Sequence, residues 1–244
     1  MEKKYLFFDI DGTLTDRSTG EIVPSAREAL TRLEENGHFV AIATGRAHYK
    51  ARKFTDANGF KNMVCCGGNG CVIDNELVEN IPLDKDGCIK IIHQAEELGY
   101  GWCVALDDTK DVYMTDDKFL RQVGKRKEPT RYIIDDMLEV EKADAIYKVY
   151  VAIPKEDEEK LTTKELVGHL RFEPEYLMFQ PDNKRGGIIK MMEHLNADIK
   201  DVVVFGDDYN DMDMFCPEWF SIAMGNACQD LKDNRKLCNR QQCR

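Results

Sequence analysis

The first 66 residues alternate between apolar runs and segments with helical periodicity. The run Tyr5–Phe8 is apolar throughout, as a central strand is when both of its faces are covered. Residues 25–36 carry alanines and leucines on one helical face, open with a serine N-cap after Pro24 and end at Gly37. The apolar run 39–43 predicts a second strand, so the three segments form a βαβ unit, which implies a parallel sheet.

This core pattern is interrupted and later resumes. Residues 48–58 and 63–66 extend it with a helix and a strand, and residues 67–70 and 180–184 are the expected linkers to a separate lobe. Within the lobe we expect helices at 88–98, from 117 and from 156, and strands at 102–106, 112–114, 146–153 and 176–179. The resumed pattern gives a helix at 185–195, a strand at 202–205, a turn at 206–213 and a strand at 220–224.

These elements predict an α/β protein with a Rossmann-like, doubly wound parallel sheet core and an inserted α/β domain. The core is expected to comprise residues 1–81 and 181–230, and the inserted domain residues 82–180. Residues 231–244 have no apolar periodicity and are rich in Arg and Gln, so this tail is predicted to be disordered.

Composition and charge narrow the set of partners. The chain of 244 residues is 43% hydrophobic with a formal charge of -11, which argues against nucleic acid and anionic membranes as partners. No stretch approaches a membrane span, and the N-terminus has no secretory apolar region, so we expect a cytoplasmic protein. Nine cysteines without a C-x-x-C pair indicate reduced thiols rather than a zinc site. The oligomeric state stays open.

Two carboxylates, Asp9 and Asp11, stand at the end of the first strand, directly before a glycine turn. Ligands of open α/β sheets bind at this edge, and two carboxylates there call for a hard cation such as Mg²⁺. A solvated acidic turn is the alternative. A calcium-binding loop is disfavoured because its twelfth position is Gly20, where a Glu is needed, and because a strand precedes it.

Three further polar clusters fall at ends of predicted strands or at a helix start. They are Thr44-Gly45-Arg46, Lys184 and the segment G-D-D-Y-N-D at 206–211. Taken alone, the first could be a helix cap, the second a solvated lysine and the third an acidic turn. Together they bring acidic groups for a metal and donors for an anion to one sheet edge. These are the groups that phosphoryl transfer requires.

In this order, the motifs D-I-D-G-T-L-T-D, A-T-G-R, the Lys184 region and G-D-D-Y-N-D-M-D-M resemble the four signatures of the haloacid dehalogenase superfamily. More narrowly, residues 3–230 are similar to its Cof-like phosphatases, which insert an α/β cap of type IIB between the second and third motifs. The resemblance implies that residues 82–180 are a specificity cap and that Mg²⁺ is the cofactor.

The resemblance also implies roles by position. Asp9 is the expected nucleophile that forms an aspartyl phosphate, and Asp11 the acid and base whose carbonyl also binds Mg²⁺. Asp207 completes the metal ligands, with Asp208 and Asp211 behind it. The residues implied to bind phosphate are Ile10, Thr44, Gly45, Lys184 and Asn210. Those implied to touch the substrate are Arg46 and Asn69.

The implied function is a Mg²⁺-dependent phosphatase acting on a small phosphorylated metabolite, with a sugar phosphate favoured. Two alternatives stay open: a phosphomutase or phosphotransferase of the same superfamily, and a phosphate-ligand binding protein without turnover. The third motif departs from the usual Lys-Gly and reads Lys184-Arg185-Gly186, so Arg185 is an alternative to Lys184. The arginine-rich tail replaces the acidic, apolar C-terminal segment usual in the family.

Overall fold

The structure is a computed structural model that describes residues 2–125, 130–234 and 237–238. It has two sheets with helices, which confirms the predicted α/β class. The strands, in chain order, are β1 (Tyr5–Phe8), β2 (Phe39–Ala43), β3 (Met63–Cys65), β4 (Gly70–Ile73), β5 (Glu76–Asn80), β6 (Trp102–Ala105), β7 (Asp111–Met114), β8 (Arg131–Ile134), β9 (Lys148–Val151), β10 (His169–Glu173), β11 (Tyr176–Phe179), β12 (Val202–Gly206), β13 (Phe220–Ala223) and β14 (Leu237–Cys238). The α-helices are α1 (Pro24–Glu35), α2 (His48–Asn58), α3 (Lys85–Glu97), α4 (Lys118–Val123), α5 (Lys184–His194) and α6 (Gln229–Asn234).

The chain divides into two compact units. The first consists of Met1–Arg46, Ala51–Asn80 and Asn183–Arg244, and the second of Ala47–Lys50 and Ile81–Asp182. Each unit carries its own sheet. Among the described residues, no helix is long and apolar enough to cross a membrane.

The sheet of the first unit has the strand order β14-β13-β12-β1-β2-β3-β4-β5. Its strands are parallel from β14 to β3, and β4 and β5 add an antiparallel edge. Alternate residues of β1 pack on opposite sides, Phe8 in a cluster with Leu30 of α1 and Phe7 in a cluster with Ile188 of α5. Both faces of β1 are therefore covered, which explains its continuous apolar run.

Two local expectations in this unit are wrong. Helix α1 begins with Pro24 at its first position, and the residue before it, Val23, makes no side-chain cap, because proline already supplies the helical φ and lacks the unpaired N–H. The segment 67–70, expected as a linker, instead contains the end of a 3-10 helix, Cys66–Gly68, and the first residue of a β4–β5 hairpin. Asp74 and Asn75 turn the hairpin with φ of 50° and 68°, the left-handed conformation that short hairpins need.

The second unit is built on a six-stranded sheet in the order β10-β11-β9-β6-β7-β8. Every pair is antiparallel except β7 and β8. One face packs against Ile91 of α3 and the other against Phe119 of α4. The helix expected from residue 156 is only a short 3-10 helix, Lys155–Lys160, because the sequence K-E-D-E-E-K offers no apolar side chain to pack on the sheet.

The C-terminal tail differs from the disordered segment that its composition predicts. Helix α6 extends to Asn234, and its Leu231 packs in an apolar cluster with Ala223 and Ala227. Strand β14 pairs in parallel with β13 at the edge of the sheet. The rest of the predicted tail, residues 235–236 and 239–244, lies outside the described residues.

Candidate active site

Sheet order brings the candidate residues together. Strand β1 lies between β12 and β2, and all three run in parallel, so their carboxyl ends meet at one edge. Asp9 follows β1, Thr44 follows β2 and Asp207 follows β12. These positions are next to one another in space although the sequence separates them widely.

A buried lysine links two buried carboxylates at this edge. Lys184 Nζ lies 2.8 Å from Asp9 Oδ1 and 2.6 Å from Asp211 Oδ1, and its side chain is 1% exposed. The pKa of Asp9 is raised to about 7, because burial and the neighbouring Asp211 raise it by more than Lys184 lowers it. Burial lowers the pKa of the Lys184 ammonium, but its two carboxylate partners outweigh this and hold that pKa above its ordinary value. Lys184 is therefore a fixed positive charge beside Asp9.

Asp207 is fully buried and accepts hydrogen bonds from three side chains. Thr13 Oγ1 donates to its Oδ1 at 2.9 Å, and Arg17 Nη2 and Asn226 Nδ2 donate to its Oδ2 at 2.6 and 3.1 Å. Burial raises the pKa of Asp207, whereas Arg17 and Thr13 lower it. The backbone of residue 12 approaches the Asp207 carboxylate closely, and this requires a glycine. Gly12 has φ of +97°, and a Cβ there would lie 2.3 Å from Asp207 Oδ2.

Asp211 serves the geometry of the site. Its Oδ2 accepts the backbone N–H groups of Asp207 at 2.9 Å and Asp208 at 3.2 Å, while its Oδ1 accepts Lys184. Oxygens of Asp9, Asp207 and Asp211 all lie within 4.8 Å of one another. Through these contacts Asp211 holds the 207–208 turn and Lys184 in place.

Asp11 has a different environment from Asp9. Its carboxylate is 63% exposed and accepts two hydrogen bonds from Arg46, from Nε at 3.2 Å and Nη2 at 2.6 Å. The Arg46 guanidinium also lies 5.6 Å from the centre of the Phe54 ring. The two aspartates of the first motif thus differ in burial, one facing the interior and one facing solvent.

The remaining predicted residues lie on the loops around this edge. Thr44 is buried, and its Oγ1 accepts the N–H of Arg46 at 3.2 Å. Asp208 is the N-cap of the 3-10 helix Tyr209–Met214, which carries Asn210. Ile10 is buried, while Gly45 and Asn69 are partly buried on the loops that follow β2 and β3.

Lys184 and Arg185 reach different parts of the first unit. While Lys184 contacts Asp9 and Asp211, the guanidinium of Arg185 pairs with Glu218 and its backbone N–H donates to Asp213 at 2.8 Å. The contact with Asp9 therefore comes from Lys184.

Sequence reasoning missed three residues that hold Asp207: Thr13, Arg17 and Asn226. Thr13 lies within the first motif, Arg17 directly follows that motif, and Asn226 lies in the segment A-M-G-N-A after β13. The proximity of Thr13 to the acidic pair was a usable signal. For Arg17 and Asn226 no periodic pattern or spacing points to Asp207.

The charges and donor atoms fit a divalent cation. Asp9, Asp11, Asp207, Asp208 and Asp211 face three cations, Arg17, Arg46 and Lys184, which leaves a formal excess of two negative charges. Carboxylate oxygens are the ligands that Mg²⁺ prefers, and Asp9 and Asp207 present them next to each other.

A buried carboxylate paired with a buried lysine at the carboxyl edge of a parallel α/β sheet is an arrangement suited to phosphoryl transfer. The chain belongs to the haloacid dehalogenase-like hydrolases, whose family model matches residues 6–240. This confirms the resemblance to the haloacid dehalogenase superfamily and its Cof-like members, and the chain is a phosphoric monoester hydrolase.

Individual relatives agree with this assignment. The chain is 29% identical over 236 residues to the candidate phosphatase YkrA of Bacillus subtilis (strain 168), covering 96% of this chain and 90% of YkrA. It is 27% identical over 254 residues to the pyridoxal phosphate phosphatase YbhA of Escherichia coli (strain K12), covering 95% and 91%. A crystal structure of a hypothetical protein from Geobacillus kaustophilus HTA426 is 25% identical with a TM-score of 0.80, covering 97% and 93%. The fold is also that of the HAD subclass IIB sugar phosphatase BT4131, with 22% identity, a TM-score of 0.74 and coverage of 97% and 93%.

Proposed function

We propose that this phosphatase is Mg²⁺-dependent and hydrolyses a small phosphorylated metabolite through a phosphoryl group carried on Asp9. The observation that carries the proposal is the buried ammonium of Lys184 between Asp9 and Asp211, with Asp207 within 4.8 Å. A buried lysine beside a carboxylate that follows the central strand stabilises the negative charge that develops during attack on phosphorus.

Asp9 is the nucleophile in this proposal. A carboxylate oxygen of Asp9 forms a bond to phosphorus while the bond from phosphorus to the leaving oxygen breaks, and Asp11 gives that oxygen a proton. Asp11 then takes a proton from water, whose oxygen attacks phosphorus and breaks the bond to Asp9. Phosphate leaves, and both aspartates return to their starting states. The exposed position of Asp11 suits an exchange of protons with solvent and substrate.

The carboxylates of Asp9 and Asp207 and the backbone carbonyl of Asp11 are the proposed Mg²⁺ ligands. The bound ion supplies positive charge to the phosphoryl oxygens and favours the ionised form of Asp9. Lys184 adds a second positive charge beside Asp9 Oδ1, at 2.8 Å, and is held there by Asp211. The groups proposed to bind the phosphate oxygens are the N–H of Ile10 and the side chains or backbone of Thr44, Gly45, Lys184 and Asn210.

Substrate choice is assigned to the second unit, Ile81–Asp182, as a cap. The unit has its own sheet and core, so its loops are able to vary without disturbing Asp9 or Lys184. We propose a sugar phosphate as substrate, supported by the fold shared with sugar phosphatase BT4131. Relatives named for pyridoxal phosphate and phosphoglycolate have small monoesters as substrates too. Arg46 and Asn69 are the proposed substrate contacts of the first unit. The cytoplasmic location expected from the sequence stays a prediction.

The test compares the wild type with Asp9→Asn and a control, Asp56→Asn, which changes an exposed, ion-paired aspartate of the same unit. With p-nitrophenyl phosphate as substrate, we expect Asp9→Asn to lower kcat by at least about 1,000-fold, because the nucleophile is lost. Asp56→Asn should keep the wild-type rate. Chelation with EDTA should abolish activity, and added Mg²⁺ should restore it.

A wild-type rate in Asp9→Asn would remove the aspartyl-phosphate route, and a rate that is insensitive to EDTA would remove the metal. A screen of phosphorylated sugars, nucleotides and cofactors, read as kcat/KM, then tests the substrate class. Measuring released phosphate against transfer to a sugar acceptor separates a phosphatase from a phosphotransferase.

A further inference from the structure

The proposed metal ligand Asp207 already has a cationic partner in this structure. Arg17 Nη2 lies 2.6 Å from Asp207 Oδ2 and 3.0 Å from Asp208 Oδ2. The two partners differ in exposure, since the Arg17 side chain is 57% exposed and that of Asp207 is 0% exposed. A Cβ at Gly12 would lie 2.6 Å from Arg17 Nε, so the glycine leaves room for the guanidinium as well as for Asp207.

The hydrogen bonds of Asp207 show what a cation must displace. An ionised carboxylate has about four lone-pair positions, two on each oxygen. Oδ1 accepts Thr13, and Oδ2 accepts both Arg17 and Asn226. Oδ2 is therefore fully used by protein donors, and a metal ion that binds there must remove one of them.

Arg17 is the donor that is able to leave. Asn226 also donates to the carbonyl of Gly12 at 2.9 Å, which fixes its amide between two acceptors. Arg17 is mostly exposed, so its guanidinium loses little when water replaces Asp207. Even if a metal ion used the remaining position on Oδ1, a guanidinium on the same carboxylate would repel it.

We propose that Arg17 competes with the divalent cation for Asp207: it neutralises this buried carboxylate when no metal is bound and is displaced when the metal binds. The inference rests on the metal site of the proposed function. Arg17 thereby sets the metal affinity, because the free energy of its contact with Asp207 is subtracted from that of metal binding. It also gives the buried negative charge of Asp207 a cationic partner in the metal-free site.

The test measures metal binding directly, without turnover. Metal-free wild type, Arg17→Ala and Arg17→Gln are titrated with Mg²⁺ by calorimetry and with Mn²⁺ by electron paramagnetic resonance. We expect both variants to bind each ion about 3- to 10-fold more tightly, because a competing, partly solvated charge-assisted hydrogen bond is removed. The control is Arg52→Ala, which removes another exposed, ion-paired arginine of the same unit and should leave Kd within about two-fold of wild type.

Thermal unfolding gives a second readout. In EDTA the Arg17 variants should melt below the wild type, and the rise in Tm on adding saturating Mg²⁺ should be larger than in the wild type. A purely structural role of Arg17 would lower Tm equally with and without metal. It would not tighten binding.

The outcomes separate this inference from the proposed function. Unchanged or weaker metal binding in the Arg17 variants overturns the competition but leaves the metal site intact. If the wild type binds neither Mg²⁺ nor Mn²⁺, the proposed metal dependence fails, and the competition fails with it. Tighter binding in the Arg17 variants and not in Arg52→Ala supports the inference.

Discussion

At the scale of single residues, Lys184 is the side chain on which most of the buried charge depends. Its ammonium is enclosed with the carboxylates of Asp9 and Asp211, so the two buried negative charges are tolerated only because Lys184 is present. Arg185, the next residue, instead forms an ion pair with Glu218. The pair offers a matched test of which cation serves the site.

We expect Lys184→Met to lower the free energy of unfolding by about 3 to 5 kcal/mol, since it leaves buried carboxylates without their counter-charge. Phosphatase activity should fall to background in this variant. Arg185→Met should change stability only slightly and keep activity. Urea unfolding and p-nitrophenyl phosphate hydrolysis measure the two effects, and the opposite pattern would identify Arg185 as the cation of the third motif.

Residue-scale prediction from sequence depends on motifs. The proximity of Asp9, Lys184 and Asp207 is predictable because each stands at the end of a strand or the start of a helix, in a recognisable order. Arg17 was not found, because it is one arginine in an exposed loop and its partner lies 190 positions further along the chain. Only the folded sheet brings the two together.

At the scale of elements, helix α5 packs unusually close to the sheet through Gly187. A Cβ at this position would lie 2.5 Å from Val64 Cγ1 and 2.7 Å from the carbonyl oxygen of Gly68. Because α5 begins with Lys184, this contact helps to set how far the ammonium extends toward Asp9.

We expect Gly187→Ala to destabilise the protein by about 1 to 3 kcal/mol through overpacking, although alanine is the better helix former. The control is Gly186→Ala, whose new methyl group would have its three nearest atoms in the side chain of Asn183. It should cost at most the N-cap hydrogen bond, about 1 kcal/mol. Urea denaturation compares them, and a larger loss in Gly186→Ala would contradict the close packing.

The elements that sequence predicted best are those with strong apolar patterns. Strands β2 and β11 have the predicted bounds, and so does helix α2, although its apolar pattern is weaker. Strands β8 and β10 were not predicted, because R-Y-I-I and H-L-R-F-E mix charged and apolar residues and owe their strand conformation to pairing with neighbours. Tertiary pairing is not visible in a local window.

At the scale of the whole molecule, the second unit has what an independent fold requires. Apolar clusters cover both faces of its sheet, and the segment Ile81–Asp182 supplies nearly all of the unit. The break in the apolar pattern near residue 82 made the insertion predictable. The identity of the substrate is not predictable in this way, because substrate recognition depends on the positions of a few loop side chains and not on the apolar pattern of the sequence.

We expect the isolated segment 81–182 to fold, with a cooperative urea transition and no phosphatase activity, since it lacks Asp9, Lys184 and Asp207. Circular dichroism and hydrolysis assays measure both properties. As a control, Ile91→Asp should abolish the transition in the fragment, because this fully buried position lies at the centre of one cluster. A gradual, non-cooperative loss of signal in the unmodified fragment would show that the segment needs the rest of the chain.

The parallel pairing of β1 with β12 has a consequence for synthesis on the ribosome. Tyr5 faces Phe39 on one side and Val202 on the other, so one edge of the most N-terminal strand finds its neighbour only after about 200 further residues have been translated. At a translation rate of roughly 5 to 20 residues per second, that edge stays unpaired for on the order of 10 to 40 s. The nascent chain therefore carries an apolar strand with one unpaired edge for most of its synthesis. Because Asp207 and Asp211 emerge after β12, a truncated translation product has no complete site.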